Sequence, residues 1–481
     1  MGAGDRVHRT LLECCGNVWI NGPMLDRKRS FGLERLVAGR LGKSASPSDS
    51  VARRALATFR LLLNDYHPRD FTISFWDGSE WPAENGAPRF TLRVRSPAAL
   101  RRMLMTGSSD LSLSESYIAG ELDVTGDFEA AMPLASYLMN RRWRAGTMLR
   151  LAAILLQMPK RDRLLRRGRK QAELSGEQHS IQRDRQAVTY HYSVSNQFYA
   201  LWLDSSMVYS CAYFETEHDS LDAAQTRKLD YLCRKLRLRP GERLLDIGCG
   251  WGALLIHAVR EYGVQALGIT LSENQAKFAN DRIAKAGLQN QCRVDIADYR
   301  ELDSKGGFDK IVSVGMVEHV GERRLPIYFR QAWRLLRPGG VFLNHGIANR
   351  SIDPTPRGPT FISRYVFPDG ELVPIDVTLR YAEDVGFEVR DVESLREHYT
   401  LTLRQWARRL ELHRANALKV VEEPIYRIWR LFLHGSAHAF AAGLLNVYQS
   451  LLVKPDAGRS GLPLTRTDWY QPATLSSRMN S

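Results

Sequence analysis

The chain predicts an α/β protein in which a doubly wound parallel sheet follows a smaller unit of mixed α and β structure. Three observations carry that reading. From about residue 189, apolar strand-like runs (RLLDIG, QALGIT, QCRVDIA, DKIVSVG and GVFLNHGI) alternate with helical stretches, the pattern of parallel strands joined by crossover helices. The first of these strands enters a loop with glycines at 248, 250 and 252 and then a helix, ALLIHAVREYG. Such a turn lets backbone approach a ligand closely, because no Cβ intervenes. Finally, 481 residues exceed one ordinary hydrophobic core, so two folded units plus tails are expected.

Taken in order, residues 1–50 end in GKSASPSDS and read as a loosely tethered extension. Residues 51–140 form the small α+β unit. Phe71, Ile73 and Phe75 alternate, as do Phe90, Leu92 and Val94, and WDGSEWPAENG between them gives a hairpin signature. A helical SPAALRRMLMTG and a turn-rich SESYIAGELDVTGD follow. Residues 141–188 are a basic amphipathic linker: residues 141–170 hold eleven Lys and Arg against Asp162 alone, interleaved with Trp143, Met148, Leu149 and LAAILL. That mixture suits a helix on an anionic bilayer, at ~1 kcal/mol per basic residue; a solvated helix packed on its own domain is the alternative. Residues 189–455 are the α/β domain, with long helices over 402–453 interrupted at Pro424. Residues 456–481 read as a mobile tail.

The net charge of +14 asks for a polyanionic partner. No zinc-finger, helix-turn-helix or RNP-like pattern accompanies it, so nucleic acid is not expected. LAAILL is far shorter than the ~20 residues of a spanning helix, and no secretory signal is visible. Six cysteines form no CxxC pair, so no metal site is expected and a cytoplasmic protein with reduced thiols is the simplest reading.

The motifs then fall in one order. YHYSVSNQFYALWLD and MVYSCAYFE precede LLDIGCGWG; GITLSENQ, ADYREL, VSVGMVEHVG, FLNHGI, FISRYVFPDGEL and EHYTLTLRQW follow. As a set they resemble the cyclopropane-fatty-acid synthase family of S-adenosylmethionine (SAM) methyltransferases, closely over about 189–406 and more weakly in SESYIAGELDVTGD. The resemblance implies a Rossmann-like class I SAM methyltransferase domain with an antiparallel last strand, preceded by a small α+β lipid-associated domain. It also implies methyl transfer from SAM to the cis double bond of a phospholipid acyl chain, with bound bicarbonate deprotonating the resulting carbocation. An alkene is a poor nucleophile, so alignment in a dry site must carry much of the catalysis. The enzyme is then expected at the inner face of the cytoplasmic membrane, and the sequence allows a homodimer without requiring one.

Carried over by motif, the catalytic positions are Cys211, Glu318, His345, Ile347 and Tyr399. His345 and Tyr399 would donate to the anion, and Glu318 would orient it or accept its proton. Alone, Cys211 reads as a buried small hydrophobe, Glu318 as a helix start and His345 as a core histidine; their joint occurrence favours function. For SAM the positions are Tyr209, Ser210, Asp246, Gly248, Gly250, Gly252, Thr270, Leu271, Ser272, Gln275, Asp298 and Tyr299. His191, Tyr192, Asn196 and Tyr199 would form a lid, and Tyr213, Phe214 and Tyr365 would face the cation. Tyr426, Trp429 and Phe432 line an acyl tunnel or pack a helix core. Loss of a different proton would give a methylene branch instead of a ring, and later reduction a methyl-branched chain. A small-molecule amine methyltransferase on the same fold, or an inactive lipid-binding protein, are the other readings.

Overall fold

The computed structural model describes residues 47–105, 109–141, 143–159, 172–192, 194–303, 307–350 and 359–470. The expected extension up to residue 46, all of the basic residues of 160–170, and the end of the tail from 471 lie outside them.

The small unit is a four-stranded sheet, β1 (Phe71–Phe75), β2 (Glu80–Trp81), β3 (Phe90–Val94) and β4 (Leu122–Gly126), in the order β2-β1-β3-β4. The alternating phenylalanines form strands, but β1 and β3 pair in parallel, with Phe71 opposite Phe90, and are not the expected hairpin. The chain first turns at Gly78 into β2, antiparallel to β1, and then returns to the start of β1. The buried Arg69 guanidinium fixes that return by donating to the carbonyls of Phe71 (2.6 Å) and Pro82 (2.5 Å), with Trp81 beneath it. The turn-rich SESYIAGELDVTGD is ordered, giving the end of helix Ser109–Ile118 and β4.

Helix Ala145–Leu156 buries Leu151 and Leu155 in the core of this unit, among Phe59, Phe71 and Leu100. The first part of the expected linker therefore belongs to the small unit. The same helix leaves Met148, Leu149 and Leu156 exposed.

The larger sheet holds β5 (Arg243–Ile247), β6 (Gln265–Thr270), β7 (Cys292–Ile296), β8 (Phe308–Val314), β9 (Leu336–Asn349), β10 (Glu388–Ser394) and β11 (Leu445–Val453), ordered β10-β11-β9-β8-β5-β6-β7. The five expected strands are β5–β9, all parallel, and β11 runs antiparallel against β9 and β10. Because the chain lays β6 and β7 on one side of β5 and β8 and β9 on the other, a crevice opens at the carboxyl ends of β5 and β8. Pro424 sits in the first turn of helix Glu423–Ala441, where its missing N–H costs nothing. The helical reading of 402–453 fails beyond Gly443: LNVYQSLLV is a strand buried between β9 and β10. The tail is anchored as far as 470, since the buried Trp469 covers Lys235 and Arg237.

The two sheets are tied by charge and hydrogen bonds. Arg427 reaches Asp123 (3.2 Å), Arg404 forks onto Glu129 (2.6 Å), and Tyr365 donates to Glu115 (2.9 Å).

Candidate active site

The glycine loop after β5 is built by close approach. Gly248 and Gly250 have φ of +83° and +54°, a region L side chains rarely enter. The amides of Gly248 and Cys249 both donate to the Ile269 carbonyl at 3.0 Å, folding the loop onto β6. Around it lies a cavity lined by Tyr209, Ser210, Asp246, Gly248, Gly250, Thr270, Leu271, Gln275, Asp298 and Tyr299. Burial pushes the Asp246 carboxyl up to about 7, and its Oδ1 has no partner among the described residues. Thr270 donates to Gln275 at 2.9 Å, linking the end of β6 to the next helix. Asp298 is held by Arg300 (2.6 Å), which also grips Asp184 (2.8 Å).

Two expected cofactor residues sit one step behind this lining. Gly252 is the N-cap of helix Ala253–Tyr262, where a Cβ would press on Ala279 at 3.0 Å. Ser272 caps helix Glu273–Lys285 by accepting from the Gln275 amide. Of the lid residues only Tyr192 faces the cavity. Helix Ile181–Tyr192 turns Asp184, Val188 and Tyr192, four residues apart, toward it. His191 instead stacks on Phe367 (4.0 Å) and bonds the Val366 carbonyl (2.7 Å), Asn196 accepts from Trp251 (2.9 Å), and Tyr199 is wholly buried.

A second cavity, of about 680 Å³, lies between the small unit and the large sheet. Its walls are apolar: Tyr117, Phe128, Met132, Leu134 and Leu138 from one side, Leu431, Phe432 and Phe440 from the other. Cys211, Glu318, His345, Ile347 and Tyr399 all line it. Glu318 accepts from the Ile347 amide at 2.7 Å through Oε1, while Oε2 has no protein partner among the described residues. Burial holds its carboxyl up to about 7. His345, 2% exposed on β9, meets the Gln449 amide through Nδ1 at 3.3 Å. Nδ1 is engaged by that amide, and Nε2 is buried with no partner among the described residues. Burial and the cations Lys228 and Lys235 hold the ring far below its ordinary pKa, hence neutral. Burial likewise keeps the Cys211 thiol and the Tyr399 phenol protonated.

The expected cation-facing aromatics lie elsewhere: Tyr213 stacks on His398, Phe214 is in the core, and Tyr365 serves the interface with Glu115. Phe432 lines the second cavity, whereas Tyr426 and Trp429 pack the helix core. Tyr192, Tyr209, Ser210, Gly315 and His319 line both cavities, so the two meet there. Sequence reasoning missed His319, the small unit's wall residues and Lys228. Lys228 shares the buried stripe of helix Leu221–Leu236 with Leu221, Gln225 and Leu232, a spacing that signals burial but not a place at the cavity.

Residues 179–450 match the family model described as mycolic acid cyclopropane synthetase. A probable fatty acid methyltransferase of Pseudomonas putida is 41% identical over 405 residues, covering 83% of this chain and 96% of that one. Cyclopropane mycolic acid synthase 1 of Mycobacterium tuberculosis is 37% identical over 270 residues, 54% of this chain and 93% of its own. The solved cyclopropane synthase MmaA2 from Mycobacterium tuberculosis superposes with a TM-score of 0.53 at 34% identity, over 56% of this chain and 97% of that one. Mycolic acid cyclopropane synthase CmaA1, solved with SAH and CTAB, gives 0.53 at 35% identity over the same shares.

Proposed function

The chain belongs to the mycolic acid cyclopropane synthetase family, SAM-dependent methyltransferases that modify lipid acyl chains, and we propose that it converts a cis double bond in a phospholipid acyl chain to a cyclopropane ring. The observation that carries this reading is the meeting of a glycine-loop cavity with a long apolar cavity at Tyr192, Tyr209 and Ser210, with Glu318 and His345 on the apolar side.

The glycine loop, Thr270, Gln275 and Tyr299 would hold SAM, which supplies an electrophilic methyl on a sulfonium. The apolar walls exclude water and align the alkene. Its π electrons form the new C–C bond as the C–S bond breaks, sulfur keeps that electron pair, and the adjacent chain carbon becomes cationic. Held as a thiol, Cys211 is a weaker nucleophile toward that cation than a thiolate would be. Loss of a proton from the added methyl then closes the ring.

His345 Nε2 and the second Glu318 oxygen, both unpartnered among the described residues, and the Tyr399 hydroxyl would hold a small oxyanion, with Nε2 protonated as a donor. Bicarbonate held there would supply the acceptor for the ring-closing proton. Turnover should fall on stripping bicarbonate from the buffer and recover on its addition; turnover indifferent to bicarbonate would remove the anion from the scheme.

No helix among the described residues is long and apolar enough to cross a membrane. We place the enzyme peripherally on an anionic cytoplasmic membrane face. In support, Met148, Leu149 and Leu156 are exposed on helix Ala145–Leu156, with Arg144 and Arg150 beside them.

A further inference from the structure

We propose that Lys228 binds the carboxylate of the methionine moiety of SAM, making it a cofactor-binding residue that no sequence motif marks. The inference rests on the SAM assignment above.

Helix Leu221–Leu236 carries two buried lysines two turns apart. Lys235, 1% exposed, has its anions supplied by the protein: it bonds Glu393 and lies 3.5 Å from Asp391. Lys228 is equally buried, 2% exposed, and lines the glycine-loop cavity. Its Nζ donates to Ser210 Oγ at 2.8 Å, which is its sole hydrogen bond among the described residues and uses one of three donors.

An ammonium in such a place is costly without a paired anion. The nearby carboxylates do not provide one. Asp204 is taken by the Val208 and Ser206 amides, both at 2.8 Å, and Asp246 is itself driven toward its neutral form by burial. The site therefore holds a buried ammonium beside a buried carboxyl whose Oδ1 has no partner among the described residues, a cation and a hydrogen-bonding group suited to the carboxylate and amino ends of an α-amino acid. Lys228 does not line the acyl cavity, which separates it from the oxyanion position at His345 and Glu318.

The test is calorimetric binding of SAM and of decarboxylated SAM to the wild type, Lys228→Met and Lys228→Gln, with melting of each free protein. The wild type should prefer SAM by about 10- to 100-fold, the span of a charge-assisted hydrogen-bonded contact. Either variant should bind the two ligands alike. The free Lys228→Met protein should melt no lower than the wild type, because an incompletely paired buried charge has been removed. Four results would overturn the proposal: a wild type indifferent to the carboxylate, a variant that keeps the wild-type preference, a variant altered only in its bicarbonate requirement, or failure of both variants to fold. Failure of the wild type to bind either ligand would instead strike the cofactor assignment itself.

Discussion

Glu318 commits one carboxyl oxygen to the Ile347 amide and leaves the other facing the acyl cavity. Glu318→Gln keeps the shape and can still accept that amide, but it cannot exchange a proton. Turnover should fall by a factor of about 100 or more, the usual scale of a lost acid–base group, while SAM affinity in calorimetry stays within about twofold. A large loss of affinity would move Glu318 to the cofactor cavity.

The same side chain makes a pH-dependent contribution to stability. Its folded carboxyl titrates near 7 against an ordinary value of 4.5, so the contribution is complete below about 4.5 and is lost as pH rises through about 7. Glu318→Gln should therefore melt above the wild type at pH 8 by about 2–4 kcal/mol of added stability, an advantage that fades toward pH 4.5. A difference independent of pH would contradict the raised value. The five positions lining the apolar cavity were legible because they stand in four motifs, His345 and Ile347 sharing FLNHGI. Lys228 was not, since a lysine on a buried helical stripe is visible only once the stripe is known to face a cavity.

At the scale of elements, the β5–β9 runs were legible because both faces of those strands are covered, so each reads as a nearly continuous apolar run. The pairing of β1 with β3 was hidden, because two alternating strands give the same pattern whether parallel or antiparallel; Arg69 and the β2 return decide it. β11 was lost among helices because LNVYQSLLV follows a long helix with one glycine, Gly443, to separate them. Helix Met132–Asn140 supplies a wall the motifs do not mention. Leu134→Trp, which adds bulk to that wall, should lower turnover on long acyl chains more than on short ones with SAM affinity unchanged, at a stability cost of about 1–3 kcal/mol. Equal loss on all chain lengths would place the chain elsewhere.

For the whole molecule, the residues proposed to act on the substrate belong to the unit of the large sheet and much of the apolar cavity wall to the small unit, so the docking of one on the other completes the cavity. On the proposed reading, the exposed Met148, Leu149 and Leu156 of helix Ala145–Leu156, with a net charge of +14, would meet anionic lipid. Replacing Leu149 and Leu156 together by Gln should weaken sedimentation with anionic vesicles by at least tenfold and leave the fold intact, since both side chains lie outside the core. Undiminished sedimentation would assign the contact to another face.

The most direct measurement is mass spectrometry of lipid extracts after incubation with SAM and vesicles of cis-unsaturated phospholipid. The account predicts an acyl chain heavier by one CH₂, about 14 mass units, whose fragmentation shows a ring at the former double bond, following methyl transfer and loss of one proton. A methylene or methyl branch at that carbon would keep the site and change the fate of the cation. An unaltered acyl chain, with SAM consumed only when a soluble amine is present, would contradict the central claim.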